Sequence, residues 1–211
     1  MKLLFLLPLF LLASSLAAED RPMNELPMYG GQHDPQVAPD AANSTGAARL
    51  GWKYFYAGDD STAMKRFNQA WMFNRKNPDA FWGFGLVMGK RASEGDPQNN
   101  LKESIKYLQI AHDLAPKNGR ITGDLAFSYT LLGHLLSTQG GKPDKEFKKA
   151  EELFQEAYRL DSKYPPIVSN WAILKFYSGD YPAAKRLIRE AEQIGFKPDP
   201  EFIKELNEKS K

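Results

Sequence analysis

Few residues in this chain could do covalent chemistry. Three histidines, His33, His112 and His134, and no cysteine occur among its 211 residues. His33 stands beside Asp34, two metal-ligand types together, but no second histidine lies nearby in sequence to complete a site. His112 falls in a helical pattern and reads as a helix-surface residue; His134 reads as solvated or packed. Asp59-Asp60 follows a glycine and reads as a helix-turn signal, not an acid–base pair. No phosphate-binding glycine loop, HExxH, nucleophile elbow or paired-carboxylate constellation is present. Without cysteine there are no disulfides, thiolate nucleophiles, cysteine zinc sites or lipidated cysteine. The expectation is a non-enzyme with no cofactor and no metal, whose chemistry is non-covalent binding.

The elements that would carry such binding are helices. Net charge is +2 with basic and acidic residues interleaved, which predicts no strong field for nucleic acid or anionic lipid. Met1 to Ala18 has the pattern of a secretory signal: Lys2, then an apolar run from Leu3 to Leu12, then small residues near Ala17 and Ala18 for cleavage. Pro8 interrupts the run, which is shorter than the ~20 residues of a spanning helix. No second apolar stretch follows, so the expectation is an exported chain, in the periplasm or outside the cell, with no integral membrane segment after cleavage. Residues 19–43 hold four prolines and Gly30-Gly31 without helical periodicity, the signature of a flexible lead. Met28-Tyr29 within it offers a hydrophobic pair able to dock in cis.

From Ser44 onward the chain repeats. Asn43 or Ser44 is placed to cap a first helix, in which Ala47, Leu50, Gly51 and Tyr54 share a face. Gly58 breaks it and Asp60 is placed to cap a second, with Ala63, Phe67 and Ala70 on one face. Gly51 recurs as Gly85, thirty-four residues on. The small-residue mark of the first helix continues at Ala126 and Ala172; that of the second runs Ala70, Ala111, Ala157 and Ala191. Small residues let paired helices approach while Leu50, Tyr54 and Phe67 fill the space around them. These residues resemble the consensus of the tetratricopeptide repeat, over about residues 44–209.

The resemblance implies an all-α, right-handed α-solenoid of about four helix–turn–helix units at 44–77, 78–118, 119–164 and 165–197. A capping helix follows at 199–209, with Phe202, Ile203 and Leu206 facing inward. Seven extra residues lie between the paired helices of the second unit and twelve between those of the third. The first insert fits one added turn on each partner helix; both should project from one edge.

In this family the first helices line a concave groove for extended peptides. The resemblance places Trp52, Phe55 and Tyr56 on it, then Trp82, Leu86 and Lys90, then Phe127, Thr130 and Leu131, then Ile173, Phe176 and Tyr177. Arg49, Lys90 and Arg120 are available to acidic groups. Lysine–asparagine clamps for a C-terminal carboxylate are not supported, because Ala48, Trp52 and Trp82 occupy those places. The function implied is a scaffold for protein–protein interaction in the bacterial cell envelope. Its alternatives are a self-associating adaptor, and a small-ligand-binding or enzymatic envelope protein. Pilus-assembly lipoproteins of the family need the cysteine this chain lacks.

Overall fold

The computed structural model describes residues 21–31 and 36–211. The secretory pattern at 1–18, and His33 with Asp34, lie outside them. Among the described residues there are nine α-helices, two short 3-10 segments and no strand.

Helices α1 (Ala41–Tyr56) and α2 (Asp60–Phe73) form the first antiparallel pair. The cap of α1 is Asp40, whose carboxylate accepts the Asn43 backbone N–H at 2.8 Å, so the helix starts before Asn43 and Ser44. Ser44 is instead buried. Its hydroxyl donates to the Ala70 carbonyl and accepts from Asn77, tying α1 to α2 and to the next unit. Likewise Asp59, not Asp60, caps α2, by accepting from the Thr62 N–H. Asp60 is thereby released to pair with Lys90.

The second pair is α3 (Pro78–Arg91) and α4 (Pro97–Leu114); the third is α5 (Gly119–Thr138) and α6 (Asp144–Leu160). The fourth is α7 (Pro165–Tyr177) and α8 (Tyr181–Gln193), followed by α9 (Pro200–Lys209). Proline opens α3, α4, α7 and α9, where its missing N–H has no intrahelical partner to lose. Relative to the first unit, the seven-residue insert puts one residue on the end of α3, two in the loop and four at the start of α4. The expected extra turn on α3 does not form, because its C-terminal turn is already tied up: Asn100 donates back to the Arg91 carbonyl at 3.0 Å. In the third unit α5 extends to 20 residues against 16 in α1, about one more turn. The lengthened ends meet: Leu101 and Ile105 of α4 pack with Leu132, Leu135 and Leu136 of α5.

The core is a chain of clusters running along the array. Ala63, Met64, Phe67 and Phe84 anchor the first, Leu108, Leu125 and Phe154 the next, and Val168, Ile188 and Phe202 the last. Each cluster spans no more than three consecutive units, as expected for an array whose stability is built between nearby repeats.

The lead is ordered where it is described. Residues Met23–Glu25 and Pro27–Gly31 form two short turns. They lie along α2, not in the groove. Both Asn68 amide hydrogens go to lead carbonyls, of Asn24 at 3.0 Å and Leu26 at 2.8 Å. Glu25 pairs with Lys65, and Arg91 donates to the Glu25 carbonyl. Met28 packs on the first cluster and Tyr29 stands 6.5 Å from the Trp71 ring. Docking by Met28-Tyr29 thus occurs, along α2. Met28 and Tyr29 both have positive φ, 51° and 56°, a left-handed turn that side chains other than glycine disfavour.

Candidate peptide-binding groove

The first helices of successive units, α1, α3, α5 and α7, bring the expected groove residues onto one side. The aromatic concentration is greatest over the first two units. Trp52 meets Trp82 edge-on at 4.6 Å between ring centroids, stacks with Tyr56 at 5.9 Å, and meets Phe55 edge-on at 5.9 Å. Trp52 also contacts Phe67 at 5.1 Å, so one of its faces is core. Tyr56 is 65% exposed, and Trp52, Phe55, Trp82 and Leu86 are half-buried. Here core and surface share the same rings, an arrangement that holds an aromatic platform in one geometry without covering it.

Polar contacts orient the indoles. Trp52 Nε1 donates to Asp79 Oδ1 at 3.3 Å, and Trp82 Nε1 to Asp124 Oδ2 at 2.7 Å. Burial pushes the Asp124 carboxyl up to about 7, with the indole bond opposing. Lys90 is not free for a partner: its ammonium holds Asp60 at 2.5 Å and lies 4.9 Å over the Phe55 ring. Arg120 is likewise engaged, with Asp161 at 3.5 Å and over the Tyr164 ring at 4.3 Å. Arg49 is exposed.

In the last two units the expected groove is largely closed. Phe176 is buried against Phe202 of α9, 5.3 Å between centroids, and Ile173 is buried in the same cluster. The capping helix folds over these side chains and makes them core. Thr130 is buried with its hydroxyl on the Ala126 carbonyl, and Leu131 joins the cluster of the lengthened helices. Phe127 is half-buried between two clusters. Tyr177 stacks on His134 at 3.7 Å and 7°, and burial with the nearby Glu205 charge pushes its hydroxyl up to about 12. Burial lowers the His134 pKa while Glu205 opposes. The packed reading of His134 describes its place. His112 is not a plain surface residue: its Nδ1 meets the Thr122 hydroxyl at 3.1 Å, linking α4 to α5.

Sequence reading missed Asp124. It lies two residues before the small mark Ala126, a place held by Arg49, Gly83 and Asn170 in the other units. That row shares no chemistry, so only its juxtaposition with Trp82 reveals it. No cluster of three or more histidines and carboxylates able to hold a metal occurs among the described residues, and no described helix is long and apolar enough to cross a membrane.

No protein-family model and no curated protein sequence matches the chain. Solved structures do. A thermophilic TPR protein of Thermus thermophilus superposes with a TM-score of 0.62 at 16% identity, over 72% of this chain and 74% of that one. The chain folds as a tetratricopeptide-repeat solenoid. Pseudomonas aeruginosa PilF aligns over 74% of this chain and 78% of its own at 17% identity, with a TM-score of 0.40. Among the described residues the TPR array has four helical pairs, two with lengthened hairpins, and a final helix.

Proposed function

We propose that this TPR solenoid is an exported interaction scaffold that binds an extended segment of a protein partner across the first helices of units one to three. The observation carrying this reading is the Trp52–Tyr56–Trp82 platform, which is fixed from beneath by Phe67 yet open on its outer side. Exposed aromatics held rigid are the usual anchors of protein interfaces, because little side-chain entropy is lost when a partner covers them. The described turns of the lead, Met23–Glu25 and Pro27–Gly31, lie along α2 and not over this side. The exported, envelope location rests on the secretory pattern of residues 1–18.

The test is a screen of the full chain against a library of extended dodecapeptides, followed by calorimetry on the peptides selected. Tyr56→Ala and Leu86→Ala should each weaken the selected peptides about tenfold without loss of helicity by circular dichroism. Binding that survives both substitutions at full strength would locate the interaction elsewhere on the solenoid.

A further inference from the structure

Three tryptophans each give their indole N–H to a carboxylate: Trp52 to Asp79, Trp82 to Asp124 and Trp171 to Glu151. In the third case the same Glu151 oxygen also holds the Lys175 ammonium at 3.0 Å. Elsewhere, Lys90 lies 4.9 Å over the Phe55 ring with its ammonium on Asp60. At Glu151 a lysine thus shares a carboxylate oxygen with an indole N–H, and at Asp60 a lysine sits between a carboxylate and an aromatic ring.

Asp124 has the same surroundings without the lysine. One of its oxygens takes the Trp82 indole, and no ion pair to it exists among the described residues. Arg120, one turn earlier on α5, is directed to Asp161 and to the Tyr164 ring. Tyr56, stacked on Trp52 beside Trp82, and Tyr164, at the end of the third unit and under the Arg120 guanidinium, are the phenolic neighbours of Asp124. Each hydroxyl feels the Asp124 charge, and that of Tyr164 also feels Tyr56. Indole and phenol faces attract cations, and an ionised carboxylate adds a charge-assisted hydrogen bond.

We propose that Asp124, beside the Trp52–Tyr56–Trp82 platform, receives a lysine or arginine side chain of the extended segment in the groove. This rests on the groove reading and adds the chemistry by which a segment is chosen. The cationic occupant needs Asp124 ionised, and burial holds that carboxyl at about 7. Affinity therefore rises with pH through about 7 and falls below it. Burial raises the Tyr56 and Tyr164 hydroxyls above their ordinary value, away from this range; the charged groups on the neighbouring elements are Arg120, Asp79 and Asp161.

The experiment is a positional scan of acetylated, amidated dodecapeptides against the full chain, with calorimetry between about pH 6 and pH 8. Lysine or arginine should be selected at one position, with affinity increasing across that range. Asp124→Asn keeps an acceptor for the Trp82 indole and removes the charge. It should weaken the basic peptides about tenfold and flatten their pH profile, leaving peptides with a neutral residue at that position unchanged. Selection of peptides with no basic preference, or a pH-independent affinity in the unsubstituted protein, overturns the cation site while sparing the groove. So does a basic peptide indifferent to Asp124→Asn. If no peptide binds in the scan, both the groove and the cation site fall.

Discussion

Phe67 is fully buried between α1 and α3, and two glycines make the room for it. A methyl group on Gly51 would stand 2.6 Å from its ring, and one on Gly83 2.4 Å. Gly83→Ala should therefore overpack this joint and lower stability by about 2 kcal/mol in urea unfolding. Gly51 was legible in the sequence as a recurring small mark. Gly83 was not, because the ring it accommodates comes from the neighbouring unit. Asp124 was hidden for the same reason. Its folded pKa is raised, so the native state holds a proton that the unfolded chain has given up between about pH 4 and pH 7. Stability contributed by the protonated form is lost as pH rises through that window. Asp124→Asn should match the parent near pH 4 and exceed it by on the order of 2 kcal/mol at pH 8, read from urea midpoints at both pH values.

Among the elements, the lead departs most from expectation. Its sequence has no helical period because its order is not α-helical. Two short turns and a left-handed step are held by side chains of α2 and α3. Asn68, fully buried, is the centre of that hold. Asn68→Ala removes both amide donors and leaves the Asn24 and Leu26 carbonyls without them, at a cost of about 1–3 kcal/mol. The lead should detach before the helices respond. Hydrogen exchange should then speed up at the Glu25, Leu26 and Tyr29 amides, which close the turns, while α2 stays protected. The repeating pairs, by contrast, were legible because each repeats the same small and large residues. The lengths of their inserts were legible too. The division between helix and loop was not, because it depends on where Leu101, Leu132 and Leu135 meet across units.

At the scale of the whole molecule, the groove has a gradient that the register alone could not reveal. Equivalent positions are open aromatics in the first two units and core in the fourth, because α9 closes over them with Phe202 and Leu206, both buried. Phe202→Ala should cost about 3–4 kcal/mol by leaving a cavity beside Phe176. In an array stabilised between neighbours, that loss falls first on the end where it is made. Amide exchange should accelerate in α7, α8 and α9 while α1 and α2 keep their protection. Peptide binding at Tyr56 and Trp82 should persist, since neither residue packs in the last cluster. A uniform rise in exchange along all helices would instead show that the lengthened α5, packed with both α4 and α7, couples the two ends into one cooperative unit.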